Sequence, residues 1–364
     1  MDTVTINSRK VAMFSDLHWG KSRDSDVKLE SAKKFIDWFI ELIKERNIKD
    51  VLFLGDWFDN RNLISVKTQN YSYEALRKFS ENGINLYMIV GNHDAYFKDT
   101  IEVNSIKHYN DIPHIHPVEE LTKIHFAPTD KYGLMCPWDT YREMDEKFDV
   151  MFGHYEFKGA YLVGTVSKHG MNIDDLFENA PLIFGGHYHI SADYQHENGR
   201  VVTLGCPLQL DWGDFENDKG VYILNTEDMT FEFIKNKISP KHIRIYWTHI
   251  KEKTEKFDTI TGNYVKFVVD SKPKFEHIMK VLNIINSKDP IKTCEPEFVY
   301  NKNINILEGV DISDESDSVL TMSKLEYMEK YIKEYFKNSE DMADLDANLM
   351  IDMMRNLYKE TELE

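Results

Sequence analysis

No stretch of eighteen consecutive apolar residues occurs in the 364-residue chain, and its opening, MDTVTINSRK, is polar. A membrane-spanning helix and a secretory signal are therefore not expected, and the cytoplasm is the expected compartment. Cysteine is scarce. Cys136, Cys206 and Cys294 are too few and too scattered for a disulfide framework or a zinc ribbon, which leaves reduced structural thiols. Internal repeats and long low-complexity tracts are also absent. Positive charge is in short supply: 44 Lys and Arg face 62 Asp and Glu, a formal charge of −18. That imbalance ordinarily argues against a nucleic-acid partner. Its distribution weakens the argument, because Asp311–Glu364 alone holds 15 acidic and 6 basic residues, or −9. Carboxylates that hold metal would be neutralised as well. Charge thus excludes neither class of partner.

The hydrophobic share of 42% supplies an ordinary globular core, and the length points to two or three folding units. The first hundred residues alternate between two periods. Short apolar strands are expected at Lys10–Ser15, Val51–Leu54 and Leu86–Val90. Helical stripes lie between them, over Lys28–Asn47 and Tyr71–Asn82. This βαβαβ order predicts a parallel sheet clad with helices, an α/β fold. Residues 120–235 read as strand-rich. Ser239-Pro240 marks a boundary, so that 1–240 form one domain and 241–310 a small α+β domain. An acidic linker (311–318) precedes two amphipathic helices within 319–364.

Five strands end in the same manner. The first runs into Asp16 and His18, the second into Gly55-Asp56, the third into Gly91-Asn92-His93-Asp94. Two later ones end in Gly153-His154 and in Gly186-His187-Tyr188-His189. In such sheets ligands gather beyond the carboxyl ends of the strands. In extended segments residues at i and i+2 point the same way, so Asp16 with His18, and His187 with His189, can each face one site. A lone Asp-x-His is mostly chance and a lone Gly-Asp is usually a turn, but all five in this order leave little room for a purely structural explanation. Carboxylate, imidazole and amide ligands without thiolate suit Mn²⁺, Fe²⁺ or Zn²⁺. The strand-end groups Asp16, His18, Asp56, Asn92, His93, His154, His187 and His189 offer more ligands than one tetrahedral ion needs, and with a shared carboxylate they suit two ions, roughly 3.5–4 Å apart in two-metal hydrolysis.

The ordered set D-x-H, GD-x-x-D, GNHD, GH and GHxH resembles the calcineurin-like metallophosphoesterases. Within them the likeness is to recombination nucleases of the bacterial SbcD and eukaryotic Mre type, and above all to the phage branch in T-even-type viruses. The stretches GDWFDNRNLISVKTQNY, LYMIVGNHDAYFKD, VMFGHYEFKGAYL and GCPLQLDWGDFENDKGVYIL carry it. The motifs cover roughly residues 10 to 235. The resemblance implies a metallophosphoesterase β-sandwich flanked by helices, a capping domain that binds DNA, and a C-terminal helical segment. It implies Asp16, His18 and His189 on one ion, Asn92, His154 and His187 on the second, and Asp56 bridging. The ions would be divalent, Mn²⁺ first and Mg²⁺ second. His93 is implied as the acid that protonates the leaving 3′-oxygen, with Asp94 as its orienting partner, and Gly91 as the residue that lets the backbone turn. Some members carry histidine where this chain has Asp59, so that histidine's role in assisting the transition state does not transfer.

The implied activity is a DNA nuclease, 3′→5′ exonuclease on duplex ends and endonuclease on single strands or hairpins, in recombination and break repair. Lys21, Arg23, Arg61, Lys67 and Lys98, in loops after the ligand-bearing strands, are the candidate DNA contacts. The resemblance also implies a homodimer, here placed on helices within 70–82 and 97–109. A partner is implied too, an SMC-like coiled-coil ATPase of the SbcC type, docked on apolar stripes that include Leu325, Met328, Ile332, Phe336, Leu349 and Met353. A phage origin would put the protein in the cytoplasm of the host bacterium. A phosphatase or cyclic-nucleotide phosphodiesterase is the first alternative, although protein phosphatases of this fold resemble GDxVDRG and GNHE where this chain has GDWFDN and GNHD. A catalytically silent scaffold is the second, and it would be signalled by a lost ligand or acid, of which there is none. The remaining histidines are read as structural or exposed, His114 and His116 on a proline-flanked surface turn.

Overall fold

The computed structural model describes residues 1–299, apart from 143, 163, 164, 254, 256 and 272, and beyond them 329, 332, 333, 348–353 and 355. Two compact units result, Met1–His242 and Ile243–Glu364.

In the first unit, strands Lys10–Phe14, Asp50–Phe53, Asn85–Ile89 and Ile115–Val118 pair in parallel. Gly220–Asn225 and Phe231–Lys235 extend this sheet antiparallel on the side of Lys10–Phe14. Helices Asp26–Glu45 and Val66–Glu81 are the two crossovers expected from the βαβαβ pattern. A second sheet of seven strands contains Thr122–Phe126, Lys131–Cys136, Val150–His154, Leu182–Gly186 and Gly199–Thr203.

Strand alternation sorts the core. Val11, Met13, Leu52, Tyr87 and Ile89 point to the inner layer, where they pack with Phe126, Met135, Phe152 and Phe184 of the second sheet. Ala12, Phe14, Val51, Phe53, Leu86 and Met88 point the other way, against Phe35, Ile36, Phe39, Ile43, Leu76 and Phe79 of the helices. Rings of Phe14, Phe35 and Phe39 meet at centroid distances of 5.0–5.9 Å. On its outer face the second sheet presents Leu134, Met151, Ile183 and Val201 to a third cluster. The architecture is a two-sheet sandwich with helices outside it.

Two expectations change in this unit. Residues 97–109 hold no α-helix, only a 3₁₀ turn that begins at Lys107. His114 lies on an exposed turn, as expected, but His116 lies on the edge strand Ile115–Val118 and stacks on Tyr87 at 4.8 Å.

The second unit contains a three-stranded sheet (His242–Tyr246, Tyr264–Val269, Lys292–Phe298) and the helix Phe275–Asn286, around Ile245, Val265, Phe267, Ile278 and Ile285. Asn348–Met353 is helical, with Ile351 buried and Leu349 and Met353 61% and 57% exposed. Arg355 pairs with Glu329 at 2.6 and 2.8 Å. Leu325, Met328, Phe336 and the acidic linker lie outside the described residues.

Candidate metal centre

The carboxyl ends of strands from both sheets meet along one edge. Beyond Phe14 and Phe53 two loops continue to pair: the Asp16 N–H donates to the Gly55 carbonyl (3.0 Å), His18 to Asp56 (3.1 Å) and Trp19 to Trp57 (2.8 Å). These bonds hold His18 beside Asp56. Asp16, His18, Asp56 and His187 all adopt positive φ, between 51° and 84°. Their side chains therefore converge through left-handed turns and not through the pleat of an extended strand. Such backbone is strained for non-glycine residues and gathers at functional sites.

Gly91 corrects another expectation. Its φ is not in the left-handed region; a Cβ there would stand 2.3 Å from both the Asp56 nitrogen and Asp56 Oδ1. Glycine is required for space, because the GNHD loop lies directly on the Asp56 loop. Gly55 needs both, with φ +95° and only 2.3 Å between a Cβ and His154 Nδ1.

Two triads of donors form within this frame. Atoms of Asp16, His18 and His189 lie within 4.8 Å of one another, and so do those of Asp56, His154 and His187. Asp56 Oδ2 stands 3.4 Å from His154 Nε2 and 3.7 Å from His18 Nε2, between the triads. Asn92 Oδ1 faces His154 Nε2 at 2.9 Å and His187 Nδ1 at 3.0 Å. His18 and His189 bring their Nε2 atoms to 3.0 Å. Lone-pair atoms crowd together in this way only where a cation or shared protons reconcile them, so the donor set fits a pair of divalent ions.

The surroundings fix which nitrogens point inward. His154 Nδ1 donates to the Leu54 carbonyl at 2.7 Å, which leaves Nε2 for a metal. Burial lowers the pKa of His154, but Asp56 and Asp16 outweigh it and raise it to about 9. Burial and the neighbouring His154 push His187 down to about 4, leaving it neutral. Burial would raise Asp56, but His154 and His18 hold it well below the usual carboxylate range.

His93 is half-buried at the edge of the cluster, its ring 5.0 Å from that of His18. Its Nδ1 lies 2.6 Å from the Asp59 carbonyl, which can only accept, so Nδ1 carries the hydrogen and Nε2 is the exchangeable nitrogen. Asp94 does not orient it. The buried Asp94 carboxylate accepts four backbone N–H groups: Asp56 (2.9 Å) and Gly91 (3.0 Å) on Oδ2, Trp57 (2.9 Å) and Phe58 (3.1 Å) on Oδ1. It clamps the Asp56 loop. The Asp59 side chain stands 3.3 Å from His18 Nδ1, without hydrogen-bond geometry, and 3.2 Å from Lys21 Nζ. Burial would raise the Asp59 carboxyl, but His18 and Lys21 together hold it below the usual carboxylate range.

Two supporting features were given no role by the sequence, although Lys219 and Asp214 lie within the stretch GCPLQLDWGDFENDKGVYIL. Lys219 Nζ, buried, donates to the His189 carbonyl and to Asp214 Oδ1, each at 2.6 Å. Trp138, after the strand Lys131–Cys136, sets its ring 5.1 Å from His187 and 5.8 Å from His154. Of the basic candidates, Lys21 pairs with Asp59 and Lys67 with Asp26, whereas Arg23, Arg61 and Lys98 have no ion pair among the described residues. No helix among the described residues is long and apolar enough to cross a membrane.

Two metal-type triads at the edge of a helix-clad β-sandwich define a metallophosphoesterase. Residues 9–223, more than half of the chain, match the model of the calcineurin-like phosphoesterases, and the chain belongs to that family. It is 26% identical over 363 residues to "Exonuclease subunit 1" of Enterobacteria phage T4, covering 96% of this chain and 99% of that protein. Among solved structures it is similar to a novel archaeal phosphodiesterase (14% identity, TM-score 0.35, 62% of this chain and 99% of the other). A dimetal phosphatase from Danio rerio is a further one (10% identity, TM-score 0.39, 63% and 96%). These structural scores are low, and the family assignment rests on the sequence match.

Proposed function

We propose that the chain is the nuclease subunit of a DNA recombination and break-repair complex. It would act as a 3′→5′ exonuclease on duplex ends and as an endonuclease on single strands or hairpins. The observation that carries this reading is the relation to the phage exonuclease subunit, which runs almost the full length of both proteins and so includes residues beyond the phosphoesterase match.

Asp16, His18 and His189 would hold one divalent ion, Asn92, His154 and His187 the other, with Asp56 shared. Mn²⁺ is the expected ion and Mg²⁺ the second candidate. Ions held there would supply positive charge to activate water and to stabilise charge developing on the phosphate. The oxygen of water bonds to phosphorus, its proton passing to solvent, as the bond from phosphorus to the 3′-oxygen breaks. His93 gives its Nε2 proton to that oxygen, and the Asp59 carbonyl keeps the ring in register through Nδ1.

Arg23, Arg61 and Lys98 are the phosphate contacts of this reading, and charge reversal there should weaken DNA binding and flatten its salt dependence. The small α+β domain would cap the DNA. Leu349 and Met353, exposed on the last helix, suit docking on an SMC-like ATPase, and the word "subunit" in the relative's name agrees with a partner. Val66 and Tyr73, 85% and 48% exposed on the helix Val66–Glu81, suit a homodimer contact.

The test is digestion of end-labelled duplex DNA with Mn²⁺ or Mg²⁺ by the wild type and by His93→Ala, with bis-p-nitrophenyl phosphate assayed in parallel. The wild type shortens DNA and the variant does not. Turnover of the small diester with DNA left intact, even after the ATPase is added, would move the assignment to a phosphodiesterase.

A further inference from the structure

Beside the second donor triad lies a cavity of about 280 Å³ whose wall includes the ligand candidate His154 itself. Trp138, Tyr141 and Met171 supply its apolar surface, and Asp139 and Glu156 its charge. The chain after the strand Lys131–Cys136 turns here, and the Trp138 N–H donates to the Val90 carbonyl at 2.9 Å. Val90 is the residue immediately before the GNHD loop, so the indole is held in register with Asn92 and His93. Its ring lies 5.1 Å from His187, tilted by 37°. Trp138 is half-buried between the histidines and the cavity.

We infer that this cavity receives a nucleobase next to the scissile phosphate, with Trp138 as its stacking platform. The inference rests on the nuclease reading above and adds what that reading leaves open, namely how the reacting nucleotide is held. The indole ring lies 5.1 Å from that of the ligand candidate His187, within reach of the sugar and base attached to a phosphate held at the donor cluster. Asp139 and Glu156 repel a second phosphate, so the cavity selects the neutral, planar part of the substrate. Every base has a π face, and stacking on an aromatic side chain is tolerant of sequence. The same contact would require the base to leave its neighbours' stack, which is easiest at a frayed end, in a hairpin loop or in a single strand.

The experiment uses the full-length protein and duplex oligonucleotides, 5′-labelled on one strand, whose two 3′-terminal nucleotides on that strand are unpaired and either intact or abasic. The wild type should degrade the intact end with a kcat/KM about 5- to 150-fold higher, the range that one stacked base commands. Trp138→Phe should keep that preference and Trp138→Ala should erase it. In parallel, 2-aminopurine at the 3′ end is followed in EDTA while a 5′ dye reports binding by anisotropy. Bound 2-aminopurine should be quenched by the wild type and remain bright with Trp138→Ala. Equal rates on both ends by the wild type, or bright 2-aminopurine in DNA that anisotropy shows to be bound, would overturn the inference and leave the nuclease reading standing. Oligonucleotides that are neither bound nor cut would refute the nuclease reading, and this inference with it.

Discussion

Replacing Asp94 by asparagine exchanges one carboxylate oxygen for an amino group that can only donate. In the native loop each oxygen takes two backbone N–H groups, at 2.9 to 3.1 Å. The single amide oxygen of the Asp94→Asn side chain can keep one pair. The other pair then faces an NH₂ group in a site where Asp94 is 1% exposed and water has no access. Each buried N–H left without an acceptor costs about 1–3 kcal/mol, so the variant should lose about 2–6 kcal/mol. For a domain of this size that lowers the unfolding midpoint by about 4–24 °C. The displaced segment carries Asp56, and Mn²⁺ affinity should therefore fall together with stability. Thermal unfolding followed by circular dichroism and metal titration by calorimetry read the two effects. An Asp94→Asn protein that unfolds and binds Mn²⁺ like the wild type, but has lost hydrolysis, would refute the clamp and return Asp94 to the role of orienting His93.

Two further outcomes follow from the same geometry. His154, raised to about 9, carries a proton at neutral pH in the metal-free protein. Its stabilising contribution is fully present below its ordinary value near 6.5 and is lost as pH rises through about 9. Metal must displace that proton, so binding should release it and should strengthen roughly tenfold per pH unit from neutrality towards about 9. Calorimetry in buffers of different ionisation enthalpy measures the release, and none at pH 7 would contradict the assignment of His154. Lys219→Met leaves the Asp214 carboxylate buried without its cation and frees the His189 carbonyl. A loss of about 3–5 kcal/mol in denaturant unfolding is expected, as for breaking a buried ion pair from one side, and an unchanged midpoint would show that the pair does not support the site.

Much of the centre was legible because strand-end motifs are local. Asp16, His18, Asp56, Asn92, His154, His187 and His189 each follow an apolar run, and alternation within those runs already assigns Phe14 and Phe53 to one face and Met13 and Leu52 to the other. The errors arose where a residue's purpose lies in a distant neighbour. Gly91 reads as a turn residue until Asp56 is found 2.3 Å from where its Cβ would be. Asp94 reads as a partner for its neighbour His93, yet its acceptors serve a loop some forty positions earlier in the chain. Trp138 had no motif at all, and Lys219 lay within a stretch that carried the family likeness without any role of its own. The sequence by itself determined the donor types, their order and the sheet edge to which each is delivered, since hydrophobic period and strand termination are written within a few residues. The division of the donors into triads came from the family resemblance, and only the tertiary structure decided which nitrogen of each imidazole faces inward and what holds the loops together. Those depend on hydrogen bonds and close contacts between segments far apart in the chain, and local periodicity carries no information about them.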